Sequence, residues 1–435
     1  MSLLKKINHI VSEKETKTLL SNFFYLGIIQ GTNFLLPLLV LPYLISVLGL
    51  SNFGLVSLAQ SLAFYWTMLV EYGFNLSTTR QIALHKEDPE LLSDIVSRTV
   101  LTKGLLLLFS AIAFFILIYT VPYFSAHRSL YSISFMMVIG QACIPVWFFQ
   151  GMEKMKFITY INVVSKVILT LSIFFFITRP SDLVYVCFFY GLGNFIPGLV
   201  GIWLMFRRFG VRFRWPAGYH FMQELKTGWY IFLSHFSINI CTNSNIFILG
   251  FFASGTVVGY YSIAEKVANI ARQLLLIFFQ TTYPAVCKQM ARGHEALLAF
   301  YRKYFIPFSV FIVILCAGIF IFSDYIVIFF AKQAVPQIST AIRWLILVPV
   351  IVLMNMPPFQ TLLAYNYQKS YMVVFMIGSA LNIALNIILA NYFSLWGTIA
   401  AVILTELFIS VGMHLILYYR HPAQKIINRP RLIYK

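Results

Sequence analysis

Apolar residues in this chain fall in runs of about 20 or more, long enough to cross a hydrocarbon core of roughly 30 Å as an α-helix. The runs lie at 19–47, 53–79, 97–120, 129–151, 157–178, 183–206, 226–252, 257–284, 301–323, 340–364, 370–391 and 395–419, with charges, Gly and Pro between them. A backbone in lipid must satisfy its own N–H and C=O groups, so such runs are helical. The alternating ten-residue pattern of an outer-membrane barrel is absent. The expected fold is an all-α polytopic membrane protein of about 12 spans in the inner membrane.

Composition agrees with the pattern. Sixty per cent of the 435 residues are hydrophobic and 11% are charged, against roughly a quarter charged in soluble domains. Residues 1–17 are polar and basic, and the first apolar run is too long for a signal peptide, so the chain is expected to be inserted whole. The connections are short, and no soluble domain is inserted.

A net charge of +18 would suggest nucleic acid if it were spread over one surface. Instead most Lys and Arg residues alternate by connection. Lys5, Lys6, Lys14 and Lys17 precede the first run, Arg80, Lys86, Arg98 and Lys103 flank the second connection, and Lys154 and Lys156 mark the fourth. Arg207, Arg208, Arg212, Arg214 and Lys226 mark the sixth, Lys288, Arg292, Arg302 and Lys303 the eighth, Lys369 the tenth, and Arg420 to Lys435 the tail. The other side has Arg128, Arg179, Lys332 and Arg343. This positive-inside pattern places both tails in the cytoplasm and removes the case for nucleic acid. The five cysteines lie singly in or beside apolar segments, without a CxxC pair, and read as packing residues.

The longest basic connection divides the chain into an N-lobe (1–206, six helices), a cytoplasmic linker (207–225) and a C-lobe (226–435, six helices and a basic cytoplasmic tail). The halves share a weak repeat. Gly54, Ser57, Ala59 and Ala63 match Gly259, Ser262, Ala264 and Ala268. Six plus six in the same orientation is a parallel repeat, with a site expected where the halves meet.

Charges at membrane depth are the first functional candidates, because each costs about 2.5–3.5 kcal/mol on insertion scales and faces a cavity or a partner. They are Glu71 in the second run, Lys166 in the fifth, Glu265, Lys266 and Arg272 in the eighth, and Glu406 in the twelfth. One reading is mutual neutralisation. Glu265, Asn269 and Arg272 share a helical face and would form a network within the eighth helix. The other reading is an electropositive site, since Lys266 points elsewhere and Lys166 has no carboxylate nearby in sequence. A polar stripe follows in the seventh run, His235, Asn239 and Asn243, with Ser234, Thr242 and Asn245 beside it. Such amides bond to neighbouring helices or line a hydrated cavity. Gln30 and Asn33 form a similar pair in the first run, where Pro37 and Pro42 free the carbonyls of Asn33 and Leu38 and favour a bend. No phosphate loop, nucleophile elbow, HExxH or metal-binding cluster occurs, so any transport would run on a proton or sodium gradient or on substrate supply.

Three segments resemble the Wzx-type O-antigen flippases of the multidrug/oligosaccharidyl-lipid/polysaccharide exporter superfamily. The first is Gln30-Gly-Thr-Asn-Phe-Leu-Leu-Pro-Leu-Leu-Val-Leu-Pro-Tyr-Leu44, followed by Leu48-Gly49 and Phe53-Gly54. The second is Val70-Glu-Tyr-Gly-Phe-Asn-Leu76, leading to Arg80-Gln-Ile-Ala83. The third is Pro145-Val-Trp-Phe-Phe-Gln-Gly-Met-Glu-Lys-Met-Lys156. Leu249-Gly250, Val258-Gly259 and Tyr283-Pro284 are shared with the wider superfamily. The resemblance implies two six-helix lobes around a central cavity opening alternately to each side. It implies as substrate an undecaprenyl-pyrophosphate-linked oligosaccharide, moved from the cytoplasmic to the periplasmic leaflet. A polysaccharide polymerase and a chain-length regulator are the protein partners it suggests. Under it, Lys166, Lys266, Arg272, Arg98 and Lys103, with Gln30, Asn33, His235, Asn239 and Asn243, are candidates for the pyrophosphate and glycan. Glu71, Glu265 and Glu406, with Pro37 and Pro42, are candidates for coupling or gating. Asn245 is a departure, because related sequences often carry Asp there.

Arg and Lys suit phosphate oxygens through charge-assisted hydrogen bonds. A drug/cation antiporter of the same fold would instead place a carboxylate and few cations in its cavity. Another lipid-linked glycan, from capsule, common antigen or cell-wall precursor, fits the same residues. A membrane glycosyltransferase would carry a large soluble loop or a dense acidic motif, and neither is present.

Overall fold

The computed structural model describes residues 2–215, 221–365 and 367–419; within the helices some side chains, those of Gln30, Asn33, Ser234, His235 and Thr242 among them, lie outside the described residues. Among the described residues there is no strand. The chain forms two compact units, Met1–His235 and Phe236–Lys435.

In the first unit, α1 (Ser2–Glu71) holds the first two apolar runs. Seventy helical residues would extend roughly 105 Å, and the helix is interrupted at Gly49 (φ 77°, ψ 165°), a conformation that glycine adopts readily. Pro37 and Pro42 lie within helical backbone, and Gly49 falls in the connection between the first two apolar runs. Tyr72 and Gly73, both at positive φ, separate α1 from α2 (Phe74–His85). Helix α3 (Pro89–Thr120) starts on Asp88, whose carboxylate accepts from the amides of Glu90 and Leu91 at 3.0 and 3.1 Å, with Pro89 at the first position. That arrangement satisfies the otherwise unpaired first-turn donors.

The fourth run is two helices, α4 (Arg128–Ala142) and α5 (Val146–Gly151). Pro145, which lacks an N–H and disfavours helical backbone at Ile144, sits at the break. Helices α6 (Met155–Phe176) and α7 (Leu183–Arg208) follow. At the α4–α7 crossing a Cβ on Gly140 would strike the carbonyl of Gly191, and one on Gly191 would strike the backbone of Met136. Missing side chains let these backbones touch, which is how helices associate tightly in lipid.

The connections of this unit sort to its ends. Lys86 pairs with Glu153 (3.1 Å) and Arg214 with Glu90 (3.3 Å), while the amides of Arg212 and Arg214 donate to Ser93 and Ser97. The second, fourth and sixth connections therefore gather at one end. Elsewhere the first and fifth meet, with Asn52 Nδ2 donating to the Pro180 carbonyl and Tyr43 to that of Ile177.

Helix α8 (Phe221–Phe252) runs across the boundary between the units. Its early residues belong with the first unit, where Phe232 stacks on Tyr72 at 4.7 Å. The second unit continues with α9 (Gly255–Arg292) and α10 (His294–Phe300), then a single π turn (Tyr301–Phe305) into α11 (Ile306–Ile321). Next come α12 (Ser323–Ala331), α13 (Pro336–Leu345), α14 (Leu347–Ala364) and α15 (Gln368–Tyr419). Helix α15 contains the last two runs and breaks at Ser394 (φ 50°, ψ −121°). Helix α12 occupies a stretch read from sequence partly as a connection. It is apolar but, at nine residues, about 13 Å long, too short to span.

Among the described residues, eight helical stretches are long and apolar enough to cross a membrane. Two of them contain the segments broken at Gly49 and Ser394, and each of the twelve runs is mostly helical. The protein is an all-α, multi-pass membrane protein. The repeat has a structural counterpart, in that all eight of its small residues, from Gly54 to Ala63 and from Gly259 to Ala268, are buried.

Candidate functional site

In the first unit Glu71 is paired. Glu71 ends α1, and its carboxylate accepts Lys103 Nζ of α3 at 3.0 Å and Asn75 Nδ2 at 3.1 Å. The Lys103 side chain is 7% exposed and that of Glu71 16%. A turn earlier in α3, Arg98 Nε donates to Asp94 at 2.7 Å. Both anion-binding candidates of α3 thus hold a carboxylate. Lys166 in α6 differs, being half-buried and without a hydrogen bond or ion pair among the described residues.

In the second unit Arg272 of α9 donates to Glu406 of α15 at 2.5 Å. The network expected within one helix is not what forms. Glu265 and Arg272 are seven residues apart, about 10.5 Å along the axis, whereas Glu406 comes level with the guanidinium from another helix. Glu265 instead accepts from the Tyr261 hydroxyl at 3.4 Å. Lys266 is half-buried and makes no hydrogen bond or ion pair among the described residues. Asn243 donates back to Asn239 within α8 (3.3 Å to the carbonyl). The candidates Gln30, Asn33 and His235 lie outside the described residues. Pro37 is half-buried and Pro42 buried.

A buried polar core in the second unit went unread in the sequence. Asn386 Nδ2 donates to Asn245 Oδ1 at 2.7 Å, Ser244 donates to Asn382 Oδ1 at 3.1 Å, and Asn382 Nδ2 reaches Thr405 at 3.4 Å. Each of these side chains is at most 5% exposed. They tie α8 to the first half of α15 and that half to the second, and unpaired amides would be costly there. The available signal was Asn382 and Asn386, four residues apart in an apolar run. Among the described residues there is no group of His, Cys, Asp and Glu arranged to hold a metal ion.

Residues 19–290, more than half of the chain, match a family described as polysaccharide biosynthesis protein. The chain belongs to that family. The chain is 26% identical over 394 residues to an Escherichia coli (strain K12) protein named "Putative O-antigen transporter", covering 88% of this chain and 93% of the relative. A Shigella dysenteriae protein of the same name is 25% identical, covering 90% and 98%. Among solved structures, an inward-facing multidrug resistance MATE transporter aligns with TM-score 0.68 at 14% identity, over 90% of this chain and 99% of its own. The lipid II flippase MurJ, inward closed, aligns with TM-score 0.66 at 13% identity, over 95% and 89%. The polysaccharide biosynthesis protein shares their fold.

Proposed function

We propose that this protein is a flippase of the bacterial inner membrane. It moves undecaprenyl-pyrophosphate-linked oligosaccharide repeat units from the cytoplasmic to the periplasmic leaflet by alternating access, for O-antigen or a related surface polysaccharide. The observation that carries this reading is the match over nearly the whole chain to relatives named as O-antigen transporters, within a family of polysaccharide biosynthesis proteins. The buried charges support it. Arg272 and Lys103 are neutralised in this structure, which leaves Lys166 and Lys266 as cations at membrane depth without an ion pair among the described residues. An ammonium held there replaces part of the hydration of a pyrophosphate. Asn239 and Asn243 are suited to hydroxyl-rich glycan. Release of Arg272 from Glu406, or of Lys103 from Glu71, would add a cation during the cycle and free a carboxylate for a coupling proton or sodium ion.

Deletion of the gene tests the proposal. The expected result is loss of surface glycan, with lipid-linked repeat units accumulating in the cytoplasmic leaflet, restored by the wild-type chain. Normal polymer export from a strain with no second flippase overturns it. Normal export together with altered tolerance to cationic drugs would favour the antiporter reading.

A further inference from the structure

Residues Val70 to Leu76 bring a carboxylate, a strained tyrosine and an amide together at one helix break. Glu71 is the last residue of α1 and holds Lys103 of α3. Asn75, in the first turn of α2, donates to the same carboxylate. Between them Tyr72 and Gly73 take φ of 42° and 81°. Glycine adopts such values readily, whereas a bulky side chain there is an outlier. A non-glycine residue in this region persists only where its surroundings fix it.

Helix α8 supplies those surroundings. Tyr72 is 7% exposed, and its ring stacks on Phe232 at 4.7 Å with 9° between the planes. Gly228 lies one turn before Phe232 on the same face of α8, and a Cβ on it would come within 3.1 Å of the Tyr72 ring. Gly228 and Phe232 thus form a slot that one aromatic ring fills. The Tyr72 hydroxyl makes no hydrogen bond among the described residues, so the ring is held by packing. Phe221, at the start of α8, meets Phe109 of α3 at 5.9 Å. Helix α8 therefore borders both partners of the ion pair: α3, which carries Lys103, and the break next to Glu71.

A single peptide bond separates the seated ring from the Glu71 residue. The Glu71–Lys103 bond is 3.0 Å long, and a displacement of about 1 Å takes such a pair out of hydrogen-bond range. From the slot, α8 continues to Ser244 and Asn245, which are bonded to Asn382 and Asn386 of α15. A shift or bend of α8 is thus carried along its own backbone to Tyr72.

We infer that Tyr72 is a positioning residue: seated in the Gly228–Phe232 slot of α8, it holds the Glu71 carboxylate on Lys103, and withdrawal of the slot releases that lysine. Use of the release in a transport cycle rests on the flippase reading; the positioning itself does not.

The test is a double-mutant cycle on the purified full-length protein, with Glu71→Gln and Lys103→Met made singly and together and the thermal transition measured for each. The coupling is the part of the Lys103→Met shift that Glu71→Gln removes. The cycle is repeated in Tyr72→Phe, which keeps the ring, in Tyr72→Leu, which loses it, and in Phe232→Leu, which keeps an apolar side chain but opens the slot. The expected coupling is unchanged in Tyr72→Phe and less than half the wild-type value in Tyr72→Leu and Phe232→Leu. A purely structural role for Tyr72 would lower every transition alike and leave the coupling at its wild-type value, which overturns the inference. Loss of coupling in Tyr72→Phe overturns it too, because the hydroxyl and not the slot would then be at work. Absence of coupling in the wild-type background leaves no pair to position and has the same consequence. The cycle reads stability alone, so its outcome is separate from glycan export on gene deletion, where the flippase reading fails or stands.

Discussion

Glu71 and Lys103 come from helices whose sequences give no hint of the pairing, and the carboxylate is shared with Asn75. Removing one partner of a buried pair leaves an uncompensated charge and costs about 3–5 kcal/mol, whereas removing both is often close to neutral. Lys103→Met is expected to lower the thermal transition of the purified protein markedly, and Glu71→Gln with Lys103→Met to recover most of it. A double variant no better than the single would show that the pair is not the source of the loss. For Arg272 the informative partner is Glu406 rather than Glu265. Arg272→Gln should lower protein level, and Glu406→Gln should rescue level. Export restored in that double variant would mean that Arg272 serves structure alone. Lys166 has no such partner among the described residues, and Lys266 makes no ion pair there, although the charge of Glu265 acts on it. Lys166→Ala and Lys266→Ala are expected to keep protein level and lose glycan export, measured on the same cultures; a parallel loss of protein would make these lysines structural.

Helices in this chain end and meet where a side chain is missing or an N–H is absent. Gly49 turns α1 by taking a positive φ, and a Cβ there would meet open space. Its replacement by alanine therefore carries only the backbone strain of a region open almost solely to glycine, about 1–3 kcal/mol. Gly191 is a contact residue, because a Cβ would run into Met136, and overpacking of this kind typically costs about 1–3 kcal/mol or more. Gly191→Ala is expected to lower the thermal transition further than Gly49→Ala. The reverse order would mean that α4 and α7 can part without penalty. Pro145 divides the fourth run into α4 and α5 and leaves a cleft at the break. In that case one residue that cannot continue a helix accounts for both the break and the space.

The alternation of basic connections makes a claim about the molecule as a whole. Lys86, Glu153 and Arg214 lie at one end of the first unit through their ion pairs, and Arg128 is exposed over the ring of Tyr119. Single cysteines at 86 and 153, in a background without other cysteines, are expected to react only from the cytoplasmic side, and a cysteine at 128 only from outside. Reaction of 86 and 128 from the same side would overturn the positive-inside reading of this chain.

The all-helical, membrane-spanning character of the chain was legible in the sequence because it follows from a local requirement: an apolar run must satisfy its backbone within itself once it is in lipid. The divisions at Tyr72–Gly73 and Pro145 and the short α12 were not. The same reasoning made deep charges and amides conspicuous, and it picked out Glu71, Arg272 and Glu406 one by one, while Lys103 was read as a basic flank of the second connection. What sequence order did not contain was their pairing. Arg272 and Glu406 are 134 residues apart, and Lys103 meets Glu71 only because α3 packs beside the end of α1. The Asn245–Asn386 bond and the cleft at Pro145 are of the same kind. An ion pair or a cavity depends on which helices come level with one another. That is decided by close backbone approaches such as Gly140 against Gly191, and no pattern along a single helix encodes it.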